Sequence, residues 1–201
     1  MRAKKAYHHG NLRAALIETG LRLIASKGLA ALTLREIGAR AGVSRMAAYR
    51  HFSNKSELIA AIREVGFTKF GDALQQACDE ADVGFVPRMS AMALAYVAFA
   101  RKHAAYFEVM FETDNPAERV VTSAAGDRAF HVLEQVIADG QGTGEVRSGD
   151  PKLLACAAWG LVHGIGALHL EQRYAGGYDT PADFVTACTG LLLTGLLAKM
   201  Q

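Results

Sequence analysis

Residues 32–58, "LTLREIGARAGVSRMAAYRHFSNKSEL", decide how this chain reads. Thr33 and Glu36 form the Thr-x-x-Glu pattern in which a hydroxyl and a carboxylate each satisfy a free backbone N–H at a helix start, so a helix is expected to begin near Leu34. That helix sets Leu34, Ile37 and Ala41 on one side and then meets "AGVS". There Gly42 can take a turn conformation that side chains resist, Val43 can plug a core, and Ser44 can cap the next helix. This third helix, of about two turns, is expected from Arg45 to Phe52. Ser53 or Asn54, with Glu57 close behind, restarts the chain into another helix. Two short helices thus meet at a glycine turn, and the second is rich in Arg, His and Tyr.

Upstream, Leu12, Ala15, Leu16, Leu23 and Ile24 recur at helical spacing from Asn11 until "SKG", ending at Gly28, supplies a stop. Downstream, a long fourth helix carries Leu58, Ile62, Val65 and Phe67 to about residue 82, where "ADVGFVP" breaks it. Met89, Met92, Tyr96 and Phe99 then mark a helix to about Lys102, and "AAYFEVMFE" reads as a short aromatic one. "TDNP" precedes a helix over 116–139, "GQGTGEVRSGDP" reads as a surface loop, and "AGGYD" joins two final helices over 151–174 and 181–200. The expectation is an all-α chain of about nine helices, divided into a DNA-binding domain over 1–54 and a larger C-terminal domain over 55–201. No internal repeat interrupts it.

The 201 residues can bury a substantial core, and 51% hydrophobic with 21% charged residues are the proportions of a soluble globular chain. Four prolines favour long helices over a β-sandwich. Cys78, Cys156 and Cys188 lie far apart without a CxxC pair, which argues against a zinc finger or a disulfide framework and fits a reducing cytoplasm. The basic N-terminus "MRAKKAYHHG" leads into an amphipathic segment, so no signal peptide is expected. Leu153–Leu170 lacks Asp, Glu, Lys and Arg, as a membrane span would, yet its glycines and histidines suit burial against protein better, and no membrane partner is expected.

Net charge is only +2, but its distribution is uneven. Residues 1–63 hold twelve Lys and Arg against three acids, whereas the remainder holds ten against seventeen. A basic first third on an acidic remainder is the footprint of one module that meets a polyanion and another that does something else.

A helix-turn-helix braces with its first helix and lays its second into the major groove. Here Leu34, Ile37, Ala41, Val43, Ala48 and Phe52 can face the small core, leaving Arg45, Met46, Ala47, Tyr49, Arg50 and His51 on or near the outer surface. Arg45 or Arg50 can offer the paired hydrogen bonds that guanine accepts, and Ala47 can touch a thymine methyl. Thr33, Tyr49 and Lys55 suit phosphate, and Arg35 and Ser44 complete the candidate DNA-binding set. His8 and His9 extend a basic arm.

Residues 8–60 resemble the DNA-binding domain of the tetracycline-repressor (TetR) family of bacterial regulators. The likeness rests on the glycine ending helix one, "TLREIGARAGVS" and "YRHFSNKSEL". "GEVRSGDP" and Trp159, His163 and Gly164 in "WGLVHG" resemble the branch whose C-terminal domain is named for Trp, His and Gly. The resemblance implies a homodimer in which helices one to three bind DNA, middle helices enclose a ligand cavity, and the last two helices form the dimer core.

The candidate ligand-binding residues are Phe67, Phe70, Met89, Met92, Tyr96, Phe99, His103, Phe107, Met110, Trp159 and His163, with His103 and His163 as polar handles. Met and aromatic side chains can line adaptable apolar cavities, and the family resemblance is what favours a cavity over ordinary core. Leu161, Ile165 and Leu168, with Phe184, Leu191, Leu192 and Leu196, give the last two helices faces too apolar for solvent. Gly160, Gly164, Gly190 and Gly195 suggest close helix approach across a two-fold dimer, which would demand a palindromic operator. No nucleophile-base pair, carboxylate pair, phosphate loop or metal-ligand spacing points to an enzyme, and no cofactor is expected. The expected function is a ligand-responsive repressor on double-stranded DNA, its small-molecule effector unidentified. An activator, an effector-independent DNA binder and a sequence-indifferent nucleoid protein are the alternatives, with an enzyme using the helical cavity as a remote one.

Overall fold

The computed structural model describes residues 12–111, 123–171 and 180–197. His8, His9 and the "TDNP" and "AGGYD" breaks lie outside them. Among the described residues the chain is all-α: α1 (Leu12–Lys27), α2 (Leu34–Arg40), α3 (Arg45–Tyr49), α4 (Lys55–Glu80), α5 (Phe85–Lys102), α6 (Ala104–Phe111), α7 (Ala124–Gly142), α8 (Pro151–Leu170) and α9 (Pro181–Leu196). A single 3-10 turn, Leu29–Ala31, joins α1 to α2.

Local chemistry sets these boundaries. Thr33 Oγ1 accepts from Glu36 N (3.2 Å), Ser44 Oγ from Ala47 N (3.2 Å) and Asn54 Oδ1 from Glu57 N (2.8 Å), capping α2, α3 and α4. The expected reciprocal half of the Thr33–Glu36 box is replaced: Glu36 instead accepts from Arg40 Nε at 2.8 Å, one helical turn on. At α4 the glutamate reaches one residue further back, Glu57 Oε2 accepting from Ser53 N at 2.7 Å, and the complete box forms at α9 between Thr180 and Asp183. Gly42 has φ 72°, and Val43 N closes the turn onto Gly38 O at 2.9 Å.

Some boundaries differ from expectation. α3 ends at Tyr49, not Phe52, and a turn through Arg50 and His51 brings Phe52 under the module. α5 begins four residues before Met89, because Pro87 falls in its first turn, where a missing N–H costs nothing. α7 runs on through Gly142 into the expected loop. Buried Gly140 lets Val146 fold back over it, since a Cβ there would stand 2.6 Å from Val146 Cγ2. Val146 then pairs with Leu197 in an isolated antiparallel bridge.

α1, α2 and α3 form a small unit whose core is completed from outside it. Gly20 in α1 lets Ile62 of α4 approach, with Ile62 Cδ1 3.2 Å from the position a Cβ would take and Leu32 Cδ1 at 3.5 Å. Packing therefore crosses the 54/55 boundary, and the first two turns of α4 belong to both modules. At about 1.5 Å per residue the 26 residues of α4 extend about 39 Å, from this unit into the larger one. There α4 packs against α5, α6 and α7, while α8 and α9 close the far side against α5.

Candidate nucleic-acid interface and interior cavity

Ala48 and Phe52 are fully buried, together with Leu34 and Ile37. At about 100° per residue, Met46 and Arg50 lie opposite Ala48 and form the centre of the outward face, with Ala47 and Tyr49 at its flanks. Met46 is 69% exposed at the centre of that face. The Arg45 guanidinium lies 5.3 Å from the Tyr49 ring centroid in a cation–π contact, so two of the candidate DNA-binding groups are held against each other. Arg13 covers the Phe52 ring from the other side at 5.1 Å.

Thr33, Arg35 and Ser44 are exposed around the same end, and His51 is half-buried. Thr33 and Ser44 spend an acceptor lone pair as helix caps, but each hydroxyl keeps its proton to donate. Lys55 Nζ donates to Leu29 O at 3.2 Å, so the lysine assigned to phosphate also braces the link between α1 and α2. At the same junction Leu29 N donates to Glu108 Oε1 (3.2 Å) and Arg63 Nε to Val109 O (3.1 Å), tying both modules to α6.

The larger module holds a narrow apolar cavity that opens to the surface. Leu74 of α4, Met89, Met92, Ala93 and Tyr96 of α5, and Leu133 of α7 line it on one side. Ala158, Trp159 and Val162 of α8, with Thr189 and Leu192 of α9, line the other. Of the candidate ligand-binding residues, Met89, Met92, Tyr96 and Trp159 reach this wall. Phe67, Phe70, Phe99, His103, Phe107, Met110 and His163 do not line it. They build the adjoining aromatic core, in which Phe70 stands edge-on to Tyr96, Phe99 and Trp159 at 4.9, 5.2 and 5.8 Å.

His163 stacks on Phe107 at 5.4 Å, and its Nδ1 lies 2.8 Å from Tyr96 Oη. Burial pushes the Tyr96 phenol up and the His163 imidazole down, so a neutral phenol and a neutral ring share this hydrogen bond, its direction set by the imidazole tautomer. The expected polar handle is thus already paired. His103, at the end of α5, is depressed by burial and then by Lys102 and Lys69, and lies against Phe99 away from the cavity. Thr189 and Leu192 were not expected there, because the apolar pattern of α9 pointed only to a dimer face.

α8 is long and apolar enough by length and composition to cross a membrane, but its inner face, with Ala155, Ala158, Val162 and Ile165 buried, packs into the protein. Ile165 and Leu196, expected on the dimer face, belong to this core. Leu153, Leu168 and Leu191 remain exposed, and nothing stands within 4 Å of a Cβ placed at Gly160, Gly164, Gly190 or Gly195. Within one protomer these glycines face open space and make no close helix approach.

Compared with known proteins, residues 16–62 match the profile described as "Bacterial regulatory proteins, tetR family", and residues 89–191 match "Tetracyclin repressor-like, C-terminal domain". Neither description names a Trp-His-Gly branch. A protein of unknown function from Rhodococcus sp. RHA1 is 29% identical with a TM-score of 0.84, over 97% of this chain and all of that one (100%). A TetR-family transcriptional regulator from Pectobacterium atrosepticum shares the fold at 24% identity and a TM-score of 0.72, over 98% of this chain and 100% of that one. The HTH-type transcriptional regulator TtgR of Pseudomonas putida is 46% identical over 50 residues, 25% of this chain and 24% of that one. The curated relatives that the chain matches are aligned over only 15–28% of their own lengths.

Proposed function

This chain belongs to the TetR family of bacterial regulatory proteins, which are DNA-binding transcriptional regulators, and from that membership we propose a cytoplasmic homodimeric repressor released from a palindromic operator by a small apolar effector. The observation that carries the DNA-contacting face is the burial of Ala48 and Phe52, which turns Met46 and Arg50 outward from a module with nine surplus positive charges over residues 1–63. Arg50 reads guanine, Ala47 and Met46 meet thymine methyls, and Thr33, Arg35, Ser44, Tyr49, His51 and Lys55 position the helix against phosphate. Arg45, held over Tyr49, reads a base or a phosphate at the edge of the face.

The exposed apolar outer faces of α8 and α9 support dimerisation through these helices, which would set two copies of α3 at a spacing matched to successive turns of DNA. α4 links effector to operator. Its Ile62 sits in the core of the DNA-binding unit and its Leu74 lines the cavity, about 18 Å apart along the helix. An effector that fits one tilt of α4 better than another shifts the protein toward it; equal affinity for both states shifts nothing.

The test is fluorescence anisotropy with duplexes selected from random sequence by the full-length protein. Selection should return a palindrome bound at two protomers per site, and a compound that fills the cavity should weaken that binding. Recovery of sequences without two-fold symmetry would overturn the dimeric reading, and binding untouched by a cavity ligand would overturn the effector reading. A reporter driven by the recovered site distinguishes repression from activation.

A further inference from the structure

Thr189 lies in the buried row of α9, between Val185 and Leu193, and is 2% exposed. A threonine inside a helix commonly returns its hydroxyl proton to the carbonyl one turn back. Thr68 does so onto Glu64 O at 2.9 Å, and Thr194, on the same helix as Thr189, does so onto Gly190 O at 2.7 Å. Thr189 does not: its Oγ1 is buried with no hydrogen-bond partner, and the residue lines the cavity. An orphaned buried hydroxyl costs free energy that a valine of the same shape would avoid, so its place at the wall of a void calls for a partner inside that void.

The rest of the wall narrows the chemistry of that partner. It carries no Asp, Glu, Lys, Arg or His, so a charged ligand would lose hydration without finding a counter-charge. Of the other polar groups on the wall, the Tyr96 hydroxyl is already bonded to His163 and the Trp159 indole N–H can only donate. Met89, Met92, Trp159 and Val162 offer adaptable apolar contact. We propose that this cavity takes an uncharged, largely apolar small molecule bearing one hydroxyl or carbonyl, and that Thr189 Oγ1 is the group that recognises it. A hydroxyl both donates and accepts, so either ligand group satisfies it. This assignment rests on the ligand-responsive reading above and supplies the chemistry of its effector.

Binding is measured without DNA, using 3-phenylpropan-1-ol, propylbenzene and 3-phenylpropionate as probes of one skeleton with a hydroxyl, nothing or a carboxylate at its end. Trp159, the chain's one tryptophan, lines the cavity and reports occupancy by its emission, with calorimetry as a second readout. The alcohol should bind the full-length protein most tightly and the carboxylate least. Thr189→Val should weaken the alcohol about tenfold, the worth of one hydrogen bond, and leave propylbenzene unchanged. Thr189→Ser should retain the preference, and Thr189→Val should melt at a higher temperature than the parent when empty. Equal effects of Thr189→Val on alcohol and hydrocarbon, a lower melting point for that variant, or no binding by any of the probes would each overturn the proposal. If the alcohol binds as described yet leaves operator affinity unchanged, the effector reading fails and the Thr189 site stands.

Discussion

Phe52→Ala tests what holds the recognition helix in place. α3 has five residues, far too few to persist as an isolated helix, so its direction is imposed by the residues beneath it. Phe52 is the largest of these, fully buried and covered by Arg13, and its backbone N–H is bonded to Ala48 O at 3.1 Å. Removing a fully buried phenyl ring costs about 3–5 kcal/mol, in a domain whose total stability is of order 5–15 kcal/mol. A loss near 4 kcal/mol multiplies the unfolded fraction roughly a thousandfold. Phe52→Leu, which refills most of the volume, should cost under about 1.5 kcal/mol. Urea titrations followed by far-UV circular dichroism report all helices. Trp159 emission reports the cavity region, where that ring meets the rings of Phe70, Tyr96, Phe111 and Phe130, all outside the first three helices. Phe52→Ala should add an early phase to the dichroism curve, shift the Trp159 transition less, and abolish operator binding in the same urea range. Unchanged melting and wild-type DNA affinity for this variant would refute the claim that Phe52 aims the helix.

Further expectations concern the two interfaces and pH. Arg50→Ala should cost about 1–3 kcal/mol per half-site on the selected operator and less on random DNA, whereas equal losses would reduce Arg50 to a phosphate contact. Lys55→Ala should weaken both duplexes alike and lower the salt slope by about one unit per protomer, read from anisotropy at several salt concentrations. Leu191 is 78% exposed in the protomer, so Leu191→Lys should leave helix content intact while converting the dimer to monomer in light scattering; a persisting dimer would move the interface elsewhere. Burial lowers the His163 pKa, so the unfolded chain takes up that proton more readily than the folded one. The resulting stability is complete above the ordinary histidine value of about 6.5 and is lost as pH falls below it. His103 and His169 shift in the same direction. The melting midpoint by Trp159 emission should therefore fall between pH 7.5 and 5.5, and His163→Gln should remove part of that fall. A midpoint that holds or rises would contradict it.

What could be read from sequence depended on whether the deciding interaction was local. The caps at Thr33, Ser44 and Asn54 and the positive φ at Gly42 involve partners within a few residues, and the chemistry of those residues names them in advance. Glu36 had two local partners, the Thr33 N–H behind it and Arg40 ahead, and the ion pair won; spacing alone does not rank them. The cavity wall was less legible. Phe70 and Met92 are both buried at helical spacing, yet only Met92 lines the void, because the difference is set by how five helices converge. His163 carried the mark of a polar handle, but Tyr96, 67 positions earlier in the chain, had taken it. Thr189 did leave a signal: a lone hydroxyl in the buried row of an apolar helix. Phe184, Leu191, Leu192 and Leu196 made that helix read as interface alone.

The two faces of α8 and α9 bear on how a ligand would be felt. Trp159 and Val162 of α8 and Thr189 and Leu192 of α9 face the cavity. On the outer side of the same helices, Gly160, Gly190 and Leu191 face outward, so under the proposed dimer the ligand and the partner protomer press on opposite sides of one helix layer. Close-packed layers transmit displacement and do not absorb it, so a ligand that draws Thr189 toward the cavity would change the seat of the dyad as well as the tilt of α4. The two routes separate experimentally. A change carried by α4 alone leaves dimer affinity untouched, whereas a change carried through α9 couples ligand binding to dimerisation by the same factor in both directions, as linkage requires. Dimer dissociation constants measured with and without 3-phenylpropan-1-ol should therefore differ in wild type and converge in Thr189→Val. Identical constants in wild type, at saturating alcohol, would confine the coupling to α4.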